Sequence, residues 1–476
     1  MKHKKLIAAI CLSTILFGTS VPASANSAQT YWSGVDSTGS IVTGASSPIV
    51  VQHELLTFDI SEFPQNHYYE ETDFLAYTGR VSAEYTFKNP SDLEVTATLA
   101  FPFGITPDYG YDFNDLDKYG VQINGEDVEV TIRHTLTYPY SQFDPETDIP
   151  RLADDYITAG IYSPDTTVTV YKWTVSGIDE EQYRVPAIAT DISKNESERV
   201  YYLANQNGGH LQKNGDLRIS RSIRNKNEAP AVYLYVFGKP LDTLPTWKFY
   251  QDGGVENGEE ISGQATFAGS ESMTLLEFAL ENYDSQSGVS EIDWYNAVVC
   301  DLSDSENSRD FPIATPSGYL SGFSHYLMRW YQYEITLKPG QSLVNTVTAP
   351  IYPDIDAGYS SSIYTYTYLL SPASTWVGFG ELDIVVNTPY YMTDCNLSGF
   401  EKTEGGYKLS LDGLPKEKDG KHADLSFTLC TEENPTKNKG NTLWVIMGIL
   451  LLIFSPILWL FEAVESVYYW VVSLIK

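Results

Sequence analysis

Side chains with oxygen donors crowd two short stretches of this chain: Asp112, Asn114, Asp115 and Asp117 in one, and Asp144, Glu146 and Asp148 in the other. Hard oxygen ligands at such spacing suit calcium. Neither stretch matches the EF-hand loop, because its turn glycine is replaced by Asp117 in the first and Ile149 in the second. Two readings therefore stand: a calcium site without an EF-hand frame, or a pair of solvated acidic turns.

Other chemistry has less local support. There is no Gly-x-Ser-x-Gly, no Ser-x-x-Lys, no His-Glu-x-x-His and no phosphate-cradling glycine loop. His53, His67, His134, His210, His325 and His422 stand singly, so a triad or zinc centre would have to be assembled from distant residues. Two carboxylates suffice for glycoside hydrolysis, but among 62 acidic residues sequence spacing selects no pair. The expectation is a protein with no catalytic role of its own. Cys395 and Cys430 bracket a C-terminal strand region and are candidates for a disulfide, with free buried thiols as the alternative. The run Ile363-Tyr364-Thr365-Tyr366-Thr367-Tyr368 puts tyrosines on one face of a strand. Because Leu369 and Leu370 follow directly, that face is expected to be buried rather than to stack on a sugar. Trp294-Tyr295 and Trp330-Tyr331 are likewise expected as core or domain-packing residues rather than sites.

These residues must be positioned mainly by strands. Charged residues are only 19% of the chain and 35 residues are tyrosine, a composition that folds and suits pleated, half-buried surfaces. Alternation predicts strands over 81–87, 95–101, 168–175, 200–203, 217–219, 231–237, 330–337, 343–349, 363–369, 382–387, 407–411 and 425–429. Strands 81–87 and 95–101 are read as neighbours joined by Asn89-Pro90-Ser91-Asp92. A hairpin turns at Asn124-Gly125 between Val121-x-Ile123 and Val128-x-Val130-x-Ile132, since that dipeptide takes the positive φ of a type I′ turn. Two helices are expected between the ends of the chain, 271–283 capped by Ser270 and 291–301 capped by Ser290.

Both ends of the chain are apolar. Lys2, Lys4 and Lys5 precede a run from Leu6 to Phe17, and Ala23-Ser24-Ala25 is the pattern cut by signal peptidases, so the mature chain is expected to start at Asn26 after cleavage behind Ala25. Leu443 to Phe461 carries no charge and is long enough for a membrane-spanning helix. Residues 462–476 follow as an amphipathic cytoplasmic tail, read either as an interfacial helix or as an element that docks a partner. Lys437 and Lys439 outside the span run against the positive-inside rule, and the leader outweighs them because it commits the chain first. The formal charge of −32 disfavours nucleic acid and anionic lipid as partners.

The domain organisation expected is a signal peptide (1–25), an N-terminal β-sandwich (26–175), a mixed β/α middle (176–320), a C-terminal β-sandwich (321–430), a polar linker (431–442), the transmembrane helix (443–461) and the tail (462–476). The fold class is mainly β, with two antiparallel sandwiches.

The run AEYTFKNPSDLEVTATLAFPFG (83–104), with the later Asn124-Gly125-Glu126 hairpin, resembles the opening strands of vault and inter-alpha-trypsin-type domains. With LMRWYQYEITLKPG and SPASTWVGFGELDIVV, the whole layout is similar to uncharacterised exported, membrane-tethered β-sandwich proteins of Gram-positive bacteria. The resemblance implies location and fold, not activity. The function expected is non-catalytic display or binding at a bacterial cell surface, with wall glycan or a neighbouring membrane protein as partner. The alternatives are a carbohydrate-active enzyme and a structural subunit of a membrane assembly.

Overall fold

The computed structural model describes residues 31–438 except 33–36, 39–40, 43–46, 64–78, 106–119, 137–148, 180–184, 194–197, 207, 224–230, 252–254, 256–258, 309–310, 317–326, 352, 371–372, 374–375 and 417–422. The expected cleavage point at Ala25 and Asn26, the apolar stretch 443–461, the tail and both acidic stretches, Asp112 to Asp117 and Asp144 to Asp148, lie outside these residues. Among the described residues no helix is long and apolar enough to cross a membrane.

The chain is mainly β, in several sheets. The largest has eight strands in the order Glu401–Thr403, Gly406–Leu411, Phe379–Asn387, Val50–Asp59, Arg80–Lys88, Ser342–Pro350, Gly120–Ile123 and Glu126–Asp127. Residues from the first and last thirds of the chain thus alternate within one sheet. A four-stranded sheet does the same, with Val95–Ile105 and Thr131–Leu136 beside Leu327–Leu337. The expected division into sandwiches over 26–175 and 321–430 is therefore replaced by one terminal module built from both. Alternation reveals which residues make strands but not which strands pair, since any two half-buried strands satisfy the same pattern.

One apolar core joins these sheets to a third one around Ile363–Leu369 and Leu425–Cys430. Val81, Ala83, Tyr85 and Phe87 come from the eight-stranded sheet, Leu99, Phe101 and Tyr331 from the four-stranded one, and Tyr366, Tyr368 and Phe427 from the third. The tyrosine row is buried at two of its three rings: Tyr366 and Tyr368 are fully enclosed, Tyr364 is half-buried, and Tyr368 meets Phe58 edge-on at 5.7 Å. Arg80–Lys88 and Val95–Ile105 are strands as expected, but they lie in different sheets. The turn between them carries the chain across the core, and fully buried Asn89 holds it by donating to Leu93 O at 2.7 Å and Leu337 O at 3.0 Å.

The Asn124-Gly125 hairpin is present, with φ of 51° and 83°. Its returning strand is only Glu126–Asp127, after which the chain leaves for the four-stranded sheet at Thr131–Leu136. Sequence reading names no strand over Val50–Asp59. Two features hide it: a bulge at Gln52 breaks the alternation, and Glu54 takes an inward position usually held by an apolar residue.

The described residues between Leu136 and Leu327 form an inserted module of three layers. Thr167–Ser176, expected in the N-terminal sandwich, pairs here with Ala231–Gly238 and Gln264–Thr274 in the central sheet. One face of that sheet packs Tyr171, Trp173 and Leu234 against Ile188, Leu217 and Phe249 of a five-stranded sheet. Its other face is covered by two helices, α1 (Leu275–Leu280) and α2 (Glu291–Asn307), through Val168, Phe237, Phe278 and Tyr295. Ser290 caps α2 as expected, accepting from Asp293 N. The other expected helix is shorter, because residues 270–274 stay hydrogen-bonded to the central sheet. Its cap is Thr274, in a capping box with Glu277.

Candidate functional site

Three polar constellations stand out among the described residues. The first is a row across the inner face of the eight-stranded sheet, where cross-strand register aligns Leu382, Glu54, Tyr85, Asn345 and Ile123. Glu54 is 1% exposed, and Tyr85 and Asn345 are fully buried. Tyr333 crosses from the facing sheet and donates to Asn345 Oδ1 at 2.7 Å, while Asn345 Nδ2 donates to Gln122 O at 3.1 Å. Burial pushes the Glu54 carboxyl up to about 8, and the hydroxyl of Tyr85 opposes this by less. The same burial, with Glu54 nearby, drives the Tyr85 and Tyr368 phenols well above their ordinary range; Tyr368 adds to the rise at Tyr85, whereas the Tyr85 hydroxyl opposes it at Tyr368. At neutral pH this is a set of neutral hydrogen-bonding groups sealed between sheets. It can specify how the sheets register, but a solute cannot reach it.

The second lies on the outer face of the same sheet. Asp383 accepts from Ser410 Oγ, sits 3.1 Å from His53 Nε2 and faces the Lys408 ammonium at 3.6 Å. The Ser410 hydroxyl, then His53 and Lys408, hold the Asp383 carboxyl below its usual range. Serine and histidine both bond the carboxylate, so the histidine is not placed to take the serine's proton. That order does not make an activated nucleophile.

The third joins the two modules. Arg133, on Thr131–Leu136, is 6% exposed and Asp293, in the first turn of α2, is 1% exposed. Arg133 Nε and Nη2 donate to Asp293 Oδ1 at 3.0 and 2.9 Å, and the backbone N of His134 donates to Oδ2 at 2.9 Å. The remaining Arg133 donors reach Asp154 Oδ1 at 2.8 Å, Gln332 Oε1 at 3.0 Å and Ala153 O at 2.6 Å. The guanidinium fork is thus filled from both modules. Nearby, Arg151 donates to Leu136 O and to Asp304, and Asn296 takes Ile157 N and returns a bond to Asp155 O. This junction is structural in kind, and single-residue spacing could not reveal it, because Arg133 and Asp293 are far apart in sequence.

Of the remaining residues singled out from sequence, Trp294, Tyr295, Trp330 and Tyr331 are core residues, as expected. Trp294 Nε1 donates to Ala279 O and Trp330 Nε1 to Thr135 Oγ1. The candidate disulfide does not form: Cys395 and Cys430 are free. Their strands pair, but register sets Cys395 opposite Phe427 and Cys430 opposite Tyr391. Three residues of strand separate Phe427 from Cys430, ~10 Å, where a disulfide needs Cα atoms within about 7 Å. The Cys430 thiol donates instead toward Ser362 O at 3.5 Å. Among the described residues no group of three or more His, Cys, Asp and Glu is arranged to hold a metal ion.

No protein-family model matches the chain, and no curated protein matches it. A solved structure of a "putative nutrient binding protein" from Legionella pneumophila is similar over 84% of this chain and 72% of its own, at 12% identity and a TM-score of 0.32. A likeness of that size carries no argument about function.

Proposed function

We propose that this chain is an exported, membrane-anchored binding or display protein of a bacterial cell surface, with no catalytic role of its own. The uncharged stretch 443–461 serves as the transmembrane helix and the described modules stand outside. The observation that carries the reading is the Arg133–Asp293 junction. A display protein must hold its presented module in fixed relation to its base, and here one buried guanidinium bonds groups of both modules. Such a lock restrains the relative motion that is the default for two modules of one chain. Two of the polar sets among the described residues support the same reading, since one is sealed in the core and the other has its serine and histidine on the same carboxylate. The partner proposed is a wall glycan or a neighbouring membrane protein.

Full-length protein in intact cells tests the placement. It should resist alkaline extraction from the membrane while its bulk is cut by external protease, and release by alkali alone would refute the anchor. Purified full-length protein is then incubated with wall glycans and extracellular polysaccharides. Retention without cleavage supports the binding role, cleavage products refute the non-catalytic reading, and no retention turns the search to membrane proteins.

A further inference from the structure

Residues 431–438 are not the free polar linker that composition suggests. They are bonded to the turn ahead of Ile363–Leu369. Thr436 O accepts from Ser360 N at 2.8 Å, Thr436 N donates to Ser360 Oγ at 3.1 Å, and Asn438 N donates to Gly358 O at 2.7 Å. The Asn438 amide also reaches Tyr359 O at 2.9 Å, the hydroxyls of Ser360 and Ser361 donate to Glu432 at 2.8 and 2.7 Å, and the Lys437 ammonium lies 5.8 Å from the Tyr359 ring centre. Asn438 is the last described residue, and four residues, 439–442, separate it from Leu443. Four extended residues reach ~14 Å at most.

Register identifies the end of the module where this happens. Val50 pairs with Lys88 beside the Asn89 turn, whereas Asp59 pairs with Arg80 at the far end. Just beyond Asp59, Phe63 is stacked between Tyr364, 3.8 Å away, and Tyr390, 3.9 Å away. Tyr391 is beside them, 37% exposed, with the Lys402 ammonium 5.1 Å from its ring centre. Tyrosine rings with cations beside them are the side chains that settle at a membrane–water boundary, with the ring toward the acyl chains and the polar tip among headgroups. Glu62, Glu401, Glu404 and Glu433 in the same region argue for hydrated zwitterionic headgroups rather than attraction to anionic lipid.

Resting on the anchored reading above, we infer that the terminal module is clamped to the bilayer, with this tyrosine-lined end against the lipid headgroups, and does not swing on a tether. The inserted module leaves at this same end, through the paired Leu136 and Leu327. Its partner is accordingly met at the membrane surface.

The test uses the full chain, reconstituted into phosphatidylcholine vesicles that carry an acceptor dye on a small fraction of headgroups. A donor dye is placed either at Glu404→Cys, in the turn that ends next to Asn387, or at Leu93→Cys, 73% exposed at the opposite end. Cys395→Ser is present in both, and Cys300 and Cys430 are buried. Strands of this length separate the two sites by ~30 Å, so transfer from position 404 should exceed that from position 93 by at least about threefold. Inserting about 20 Gly-Ser residues after Asn438 lengthens the tether and should bring the two values together while the protein still floats with the vesicles. Equal transfer in the unaltered tether with floatation intact would overturn the clamp and leave the anchor standing. Failure to float would overturn the anchor, and the clamp with it.

Discussion

Glu54 is a carboxyl where an apolar side chain would ordinarily sit, and its consequences are thermodynamic. Its folded value, about 8, lies above the unfolded one, near 4.5, so the folded state holds a proton that the unfolded state releases between them. Stability is then full below about pH 4.5 and declines as pH rises toward 8, by ~1.4 kcal/mol per pH unit for this one group. Glu54→Gln should flatten that decline, raising the unfolding midpoint at pH 8 while changing it little at pH 4.5. Chemical denaturation at the two pH values measures it, and an unaltered pH slope would mean that the carboxyl is not titrating in this window. Arg133 offers a second test. Removing one partner of a buried pair strands the other, so Arg133→Ala should cost ~3–5 kcal/mol. Its signature in limited proteolysis should be new cleavage between Leu136 and Leu152 or between Ala314 and Leu327, where the chain passes from one module to the other. Arg133→Lys should recover only part of the loss, because an ammonium cannot fill a forked set of acceptors.

At the scale of elements, the bulge at Gln52 is the local feature with the clearest structural demand. The extra residue turns its carbonyl toward the parallel neighbour Phe379–Asn387, and a Cβ at Gly380 would lie 2.0 Å from Gln52 O. Only glycine lets the backbones approach this closely. Gly380→Ala should therefore destabilise the terminal module by several kcal/mol, or shift the pairing of the two strands, and a thermal melt followed by far-UV circular dichroism distinguishes it from neutral substitution. The α1 terminus is a milder case. Thr274→Ala removes the oxygen that accepts from Glu277 N, at a cost of ~1 kcal/mol. Because Glu277 sits at an exposed helix start, that cost should remain local.

For the whole molecule, the interleaving of distant strands decides what can be cut away. A fragment of residues 26–175 would carry Val50–Asp59 and Arg80–Lys88 without Ser342–Pro350 or Phe379–Asn387 to pair with, and it should aggregate when expressed alone. The inserted module is the natural excision, because Leu136 and Leu327 are direct cross-strand partners that a short turn can join. A chain in which a Gly-Asn turn replaces the residues between them, with Arg133→Thr to avoid an orphaned guanidinium, should remain monomeric and melt cooperatively. Size exclusion and calorimetry check it, and loss of the cooperative transition would show that the terminal module depends on α2 for its fold.

What the sequence determined by itself was local. The strands over 95–101, 231–237, 363–369 and 425–429, the Asn124-Gly125 turn, the Ser290 cap and the burial of Tyr366 and Tyr368 all follow from alternation, backbone preference and short-range hydrogen bonding. Tertiary structure alone decided what those elements meet. Arg80–Lys88 and Val95–Ile105 look like neighbours and are in separate sheets, Thr167–Ser176 belongs to the insert, and the Cys395–Cys430 pairing fails by three residues of register. The polar residues show the same division. Glu54, Arg133 and Asp293 are ordinary letters in an acidic chain, and only the burial supplied by strands and a helix hundreds of residues away turns them into a neutral core carboxyl and a locked junction. Pairing energy is nearly the same for any two compatible strands, so partner choice rests on the collective packing of the core, which is a property of the whole chain and not of any segment of it.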